Sequence, residues 1–266
     1  MEKNEKVFKI DDESVVFLPE DEINPPSKSL AENSIIELDS ITEKNNDYLL
    51  IGIYGNGSGL LKASFFNEMK TQKNAFKIKF MYQGKDLLKK KVLAAELYQI
   101  QVNSKHILIL LTKNGFIDDN KKYIVDYFKD NKITFKETII FESIFTKDFI
   151  SSSEVKNECF YIKGRNCKLP TGNLKKLPPP NSIGGFAGFF MNWADFNDMP
   201  CILLISVFNY YDIGLESARV YSEGTKEYEF LKGKIDDNYL KTNNIDINCL
   251  NSVFNEFNYL KKTYFS

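Results

Sequence analysis

Residues 48–70, YLLIGIYGNGSGLLKASFFNEMK, decide how the rest of the chain is read. The first seven form a near-continuous apolar run of strand length. GNGSG (55–59) follows as a tight glycine turn. Beyond it, apolar side chains recur every four positions at Leu61, Phe65 and Met69, with Phe66 widening the stripe. A strand, a tight turn and a helix in that order are the unit from which α/β folds are built.

The alternation continues downstream. AFKIKFMY (75–82) and AAELYQIQV (94–102) alternate with period two, and HILILLT (106–112) reads as a central buried strand. DDNKKYIVDYFKDNK (118–132) predicts a helix opened by Asp118 or Asp119, with Tyr123, Ile124, Tyr127 and Phe128 on its apolar face. ETIIFESIFT (137–146) follows as a strand. Residues 147–180 read as irregular, and the three prolines at 178–180 exclude helix there. A helix over 183–195 is expected next, N-capped by Asn181 or Ser182, with Ile183, Phe186, Ala187, Phe190 and Ala194 as its stripe. Gly184, Gly185 and Gly188 fall inside it, each costing about 1 kcal/mol relative to alanine, which suits a helix whose backbone is closely approached. MPCILLISVF (199–208) supplies another core strand, DIGLESARVYSE (212–223) a helix over it, and DINCLNSVFNEFNYLKK (246–262) a final helix with Ile247, Leu250, Phe254 and Phe257 along one face. The expectation is a three-layer α/β/α sandwich with a largely parallel or mixed central sheet. In domain terms, residues 1–47 form a poorly packed N-terminal lead-in holding one or two edge strands. Residues 48–262 form a single α/β domain, and residues 263–266 a tail.

Composition narrows the function classes. The 266 residues carry 43% hydrophobic and 14% aromatic side chains, ample for a packed core. A net charge of −1, from 35 basic and 36 acidic residues, provides no electrostatic footprint for nucleic acid or an anionic membrane. The N-terminal stretch is charged and lacks the apolar core of a signal peptide, and no run approaches a transmembrane helix in length, so a cytoplasmic location is expected, with the nucleus also open. Cys159, Cys167, Cys201 and Cys249 contain no CxxC spacing, so reduced thiols in or near the core are expected rather than disulfides or zinc ligands.

Motifs for chemistry are sparse. GNGSG lacks the lysine and hydroxyl of a phosphate-binding P-loop, and the third glycine position of a dinucleotide fingerprint holds Leu60. The turn therefore reads mainly as a steric device, leaving backbone amides at the helix start as the one route to an anion. His106 is the single histidine; Ser104 and Cys201 are the nucleophiles one would test beside it, and a strand-edge role with a backbone partner is the simpler reading. The pairs Asp118–Asp119 and Asp236–Asp237 sit in polar, turn-like sequence. No catalytic residue, cofactor site or metal site is assigned.

LPPPNSIGGFAGFFMNWADFNDMPCILLISVFNYYDIGLESARVY (177–221) resembles the proteasome assembly chaperones, in particular proteasome assembly chaperone 1, with its relatives chaperone 2 and the archaeal assembly chaperones. The landmarks are Pro180-Asn181, Gly185, Ala187, Met199-Pro200, Asp212, Leu215 and Val220, and the resemblance extends in order over residues 48–225. It implies a nucleoside-phosphorylase-like layout and a non-enzymatic role in 20S proteasome assembly. It also implies two partners: a chaperone 2-like subunit forming a heterodimer, and the α-type subunits of the ring that the heterodimer binds. Members of this family resemble proteasome activators in ending on a hydrophobic–tyrosine–any-residue motif that enters pockets between α-type subunits. Tyr264, Phe265 and Ser266 occupy those positions, with phenylalanine where the motif has tyrosine. The helix 183–195, with Phe189 and Trp193 expected to be exposed, is the surface suggested for the heterodimer. The alternative is a small-molecule enzyme on a nucleoside-phosphorylase-like scaffold that uses GNGSG for phosphate.

Overall fold

The computed structural model describes residues 43–71, 76–82, 92–112, 117–151, 155, 158–208, 220–222, 224–232 and 234–235, together with short strands at 8–10, 13–15 and 34–37. The expectations for the helix 246–262, for most of 212–223, for Asp236–Asp237, for Cys249 and for Tyr264–Ser266 lie outside the described residues.

Strands β1 (Phe8–Ile10) and β2 (Glu13–Val15) pair with each other, antiparallel. The main sheet comprises β3 (Ser34–Glu37), β4 (Asn45–Gly52), β5 (Phe76–Tyr82), β6 (Val92–Val102), β7 (Lys105–Thr112), β8 (Thr134–Phe145), β9 (Glu158–Lys163), β10 (Lys175–Lys176) and β11 (Cys201–Phe208). Their spatial order is β10-β9-β11-β8-β4-β7-β6-β5-β3. The centre, β11-β8-β4-β7, is parallel throughout. Antiparallel strands flank it, with β9 beside β11 and the β7-β6-β5-β3 run on the other side. This is the mixed central sheet expected. All eight residues of β11 are buried, as a strand covered on both faces requires.

The helices are α1 (Asn56–Ser64), α2 (Phe66–Thr71), α3 (Ile117–Asp130) and α4 (Gly185–Phe196). Alternate residues along the central strands divide between two cores. Leu49, Ile51, Leu108, Leu110, Leu203 and Ile205 pack with Ile124 and Phe128 of α3 and Phe186 and Phe190 of α4. Leu50, Ile109, Leu111, Phe141, Ile202 and Leu204 pack with Leu60 and Leu61 of α1, Phe65, and Tyr221. The period of two along each strand therefore builds the three layers.

Several boundaries differ from the sequence expectation. The segment 147–180 is not irregular throughout, because β9 inserts antiparallel against β11 with Cys159 and Phe160 buried. GNGSG is not a free turn: Gly55 is the N-cap, and residues 56–59 form the first turn of α1. The helical stripe breaks at Phe65, between α1 and α2. Helix α3 starts at Ile117, so Asp118 and Asp119 fall in its first turn. Helix α4 begins at Gly185 with Gly184 as N-cap, not at Asn181 or Ser182. The side chain of Asn181 is committed elsewhere. Its amide NH2 donates to the carbonyls of Ile150 (2.8 Å) and Pro178 (2.9 Å), and its oxygen accepts from the Ile150 N–H (2.8 Å). Gly188 does meet the close approach expected of it, since a Cβ there would lie 2.3 Å from the Ile183 carbonyl oxygen.

At the N-terminal end of the sheet, Asp47 on β4 ties its two neighbours together. Lys136 of β8 donates to Oδ1 at 2.8 Å, the His106 N–H of β7 donates to Oδ2 at 3.1 Å, and the Lys105 ammonium stands 3.8 Å away. The Lys136 hydrogen bond is the main reason that the Asp47 carboxyl lies below its usual range, against a smaller opposing effect of burial. A depressed carboxyl stabilises the fold above the unfolded-state value and loses that contribution as pH falls through the folded one. Asp47→Asn should therefore lower the melting temperature at neutral pH, with the gap to the unsubstituted chain closing as pH drops below the free-aspartate value of 3.8. Thermal melts across that range test this, and a gap independent of pH would contradict it.

Candidate interaction surface

In open α/β sheets, ligands and chemistry sit beyond the C-terminal ends of the parallel strands, where strand order reverses. Here that place is the end of β4, between β7 and β8, where α1 begins. Gly57 of GNGSG serves packing of the chain on itself, while Gly55 supplies the positive φ (105°) of the turn. A Cβ on Gly57 would lie 2.2 Å from the carbonyl oxygen of Phe141 on β8, and that oxygen also accepts the Ile53 N–H at 2.9 Å. Gly57, Ser58 and Gly59 are buried, as is Asn56. An open cavity of about 210 Å³ lies between the end of β8 and the approach to α4, with Glu142, Asp148, Ser182 and Gly184 in its wall. None of its lining residues belongs to 55–59.

Of the candidate nucleophiles, Cys201 is not brought to the histidine. His106 is the second residue of β7, and Ser104 is exposed in the β6–β7 hairpin turn, where Asn103 and Ser104 both have positive φ (49° and 62°). Cys201 lies three strands away at the start of β11, about 14 Å at 4.8 Å per strand. Complete burial pushes the Cys201 thiol well above its usual range, and burial also raises Cys167, so neither is an activated thiolate. Cys159, Cys167 and Cys201 are all buried and outside any disulfide, as expected of core thiols. Among the described residues, no cluster of three or more histidine, cysteine, aspartate or glutamate side chains is arranged to hold a metal.

What the strand ends do contain is a hydroxyl relay that the sequence reading missed. Tyr221 is fully buried, its ring edge-on to Phe141 at 5.4 Å, and its hydroxyl donates to the Glu142 carbonyl. Ser143 Oγ is 2.9 Å from Tyr221 Oη and 3.1 Å from Ser206 Oγ, so a run Ser206→Ser143→Tyr221→Glu142 uses one proton per link. Burial drives the Tyr221 phenol far above its usual range, and it stays a donor at any physiological pH. Only the pairing of Ser143 with Ser206 across β8 and β11 makes the relay visible. It fastens the helical residues 220–222 to the sheet. Tyr221→Phe should cost about 1–2 kcal/mol in denaturant unfolding, and no loss would mean that the relay is not holding this helix.

The outer face of α4 is the stronger candidate for binding. Counting roughly 100° per residue, Phe189, Trp193 and Phe196 fall within about 60° of one another, on one flank of the buried Phe186–Phe190–Ala194 stripe. Phe189 and Trp193, expected from sequence to be exposed, are instead half-buried and packed against the core. Helix α3 supplies the cover: Lys121 lies 5.4 Å over the Phe189 ring and Lys129 5.9 Å over Trp193, while Trp193 also stacks edge-on with Phe190 at 5.0 Å. Phe196, which the sequence reading did not single out, is 76% exposed at the end of that flank. Phe196 sits past the last turn of the stripe, where periodicity no longer predicts which side is covered.

No family model matches the chain, and no curated protein shows significant sequence similarity to it. Solved structures share its fold. A protein of unknown function from Thermoplasma acidophilum superposes with a TM-score of 0.54 at 13% identity, over 84% of this chain and 89% of that one. PbaB of Pyrococcus furiosus, an archaeal proteasome activator, gives 0.52 at 12% identity over 88% of this chain and 99% of PbaB. PbaA of the same organism, an archaeal homolog of proteasome-assembly chaperone, gives 0.50 at 15% identity over 86% and 96%. At these identities the likeness is one of fold.

Proposed function

We propose that this chain is a non-catalytic chaperone of 20S proteasome assembly. It pairs with a paralogous, chaperone 2-like α/β subunit, and the heterodimer binds the α-ring. Phe189 and Trp193 on α4 belong to the heterodimer surface, and Tyr264, Phe265 and Ser266 enter a pocket between α-type subunits.

The observation that carries the reading is the agreement of two separate signals. The landmarks from Pro180-Asn181 to Val220 resemble the assembly chaperones, and the fold of the chain superposes over 96% of PbaA, an archaeal homolog of proteasome-assembly chaperone. The enzyme alternative is weakened by geometry: Gly57, at the centre of the loop that would cradle phosphate, packs on Phe141, and His106 is about three strands from Cys201. A binding role asks for apolar area and matched charge rather than aligned acid and base groups, and α4 offers the former.

Affinity purification of the tagged full-length chain tests the proposal. Recovery of α-type proteasome subunits together with a second α/β chaperone is expected. Recovery of neither, or phosphate-dependent nucleoside cleavage by the purified chain, would overturn it.

A further inference from the structure

We propose that the start of α1 holds a free phosphate ion, bound by the Asn56 side-chain amide and the backbone N–H groups of Gly55, Asn56 and Gly57. The turn has two unlike sides. Gly57 is pressed against β8, where an added Cβ would strike the Phe141 carbonyl. Gly55 is buried too, yet, leaving aside its chain neighbours, no atom of the described residues lies within 4 Å of where its Cβ would stand. One side is packed and the other has room. Gly55 is also the N-cap of α1, and its φ of 105° favours glycine, so no side chain caps the helix. The Ser58 and Gly59 N–H groups donate to the Ile53 and Gly55 carbonyls at 2.8 and 2.9 Å. Those of Gly55, Asn56 and Gly57 have no acceptor among the described residues.

Asn56 supplies the observation that points to a ligand. It is 0% exposed, and neither Nδ2 nor Oδ1 meets a hydrogen-bond partner among the described residues. It is the first residue of a nine-residue helix, and helical side chains lean toward the N-terminus. The amide therefore reaches past the helix start, toward the region that the N–H groups face. Burying an amide with both ends unpaired is costly, and a buried helix end without partners calls for water or a ligand. The donors select an anion, because the N–H groups and the Nδ2 hydrogens converge at the positive end of the helix dipole. The Oδ1 acceptor selects further. It asks for a proton donor, which the P–OH of phosphate supplies and sulfate lacks at neutral pH. Burial of the whole first turn suits a free ion over a phosphoryl group carried on a larger molecule. Such binding is structural: it uses neither a lysine nor a nucleophile, and it is independent of the chaperone reading.

Isothermal titration of the full-length chain with inorganic phosphate, in a near-neutral chloride buffer, tests this. Saturable binding of one ion is expected, with sulfate and phosphoserine each weaker by about tenfold or more. Phosphate should also slow hydrogen exchange in the peptide covering residues 55–61, which locates the ion. Asn56→Asp keeps the shape but replaces the two Nδ2 donors by negative charge, and should weaken phosphate by about tenfold or more. Circular dichroism checks that this variant folds; if it does not, the preference for phosphate over sulfate and the exchange map of the unsubstituted chain decide. Lack of saturable phosphate binding by the unsubstituted chain means that water satisfies Asn56, and overturns the inference. Equal affinity for sulfate or phosphoserine, protection outside residues 55–61, or undiminished binding by the folded Asn56→Asp chain overturns it as well.

Discussion

Gly57→Ala should prevent stable folding, with a loss of about 3 kcal/mol or more from a change of one methyl group. The Cβ would stand 2.2 Å from the Phe141 carbonyl oxygen and 2.9 Å from its carbon. Those atoms are backbone of β8, a strand paired on both sides and buried at Ile139, Ile140 and Phe141, so they cannot swing away as a side-chain tip would. Relief would require α1 to lift off the sheet, opening the contacts of Leu60, Leu61 and Phe65, which are 0–1% exposed. Denaturant titration or soluble yield measures the effect. Gly184→Ala is the control, since nothing lies within 4 Å of a Cβ there; it should cost under about 1 kcal/mol. If Gly57→Ala were as mild as Gly184→Ala, the helix would not sit on β8 as described. Added phosphate should not rescue the variant, because the methyl group strikes the protein's own backbone.

Removing residues 264–266 should lower capture of α-type subunits about thirtyfold or more while leaving the heterodimer intact. An aromatic side chain places a large apolar area in a pocket at small rotamer cost, and truncating such an anchor commonly costs 2 kcal/mol or more. Lys261 and Lys262 would stay outside the pocket, facing acidic groups at the rim. Phe265→Tyr restores the phenol of the hydrophobic–tyrosine motif and should tighten capture by about 1 kcal/mol if the pocket supplies a partner for the hydroxyl. Quantitative co-purification of ring subunits and of the second chaperone, measured from the same sample, separates the two effects. Unchanged ring capture by the truncated chain would remove the role proposed for Tyr264, Phe265 and Ser266.

Elements whose fate is set by short-range pattern were legible in the chain. The first five residues of YLLIGIY end β4, HILILLT lies within β7, and CILLISVF becomes β11, because a strand covered on both faces has to be apolar at nearly every position. The α3 stripe is equally plain, with Ile124, Tyr127 and Phe128 buried as read. Strand β9 was not legible: six residues, ECFYIK, between polar and prolyl segments carry too little pattern, and their pairing is chosen by the open edge of β11. Nor was the start of α4, because Asn181 is a good capping residue whose side chain is taken by Ile150 and Pro178, 31 and 3 positions away.

The candidate surface divides in the same way. That α4 carries an aromatic set was visible from residues 183–196; which of its members meets solvent was not. Helical spacing places Phe189 and Trp193 off the central stripe, yet Lys121 and Lys129 of α3 cover their rings and leave Phe196 as the outward one. Amino-acid order alone determined the layers, through periodicities of two and of about 3.6 that local sterics impose on each segment. Tertiary structure decided the contacts between segments distant in the chain: Gly57 on Phe141, Ser143 with Ser206 and Tyr221, and the α3 lysines over α4. Those depend on which strand and helix become neighbours, a choice made by burial summed over the whole domain rather than by any local stretch.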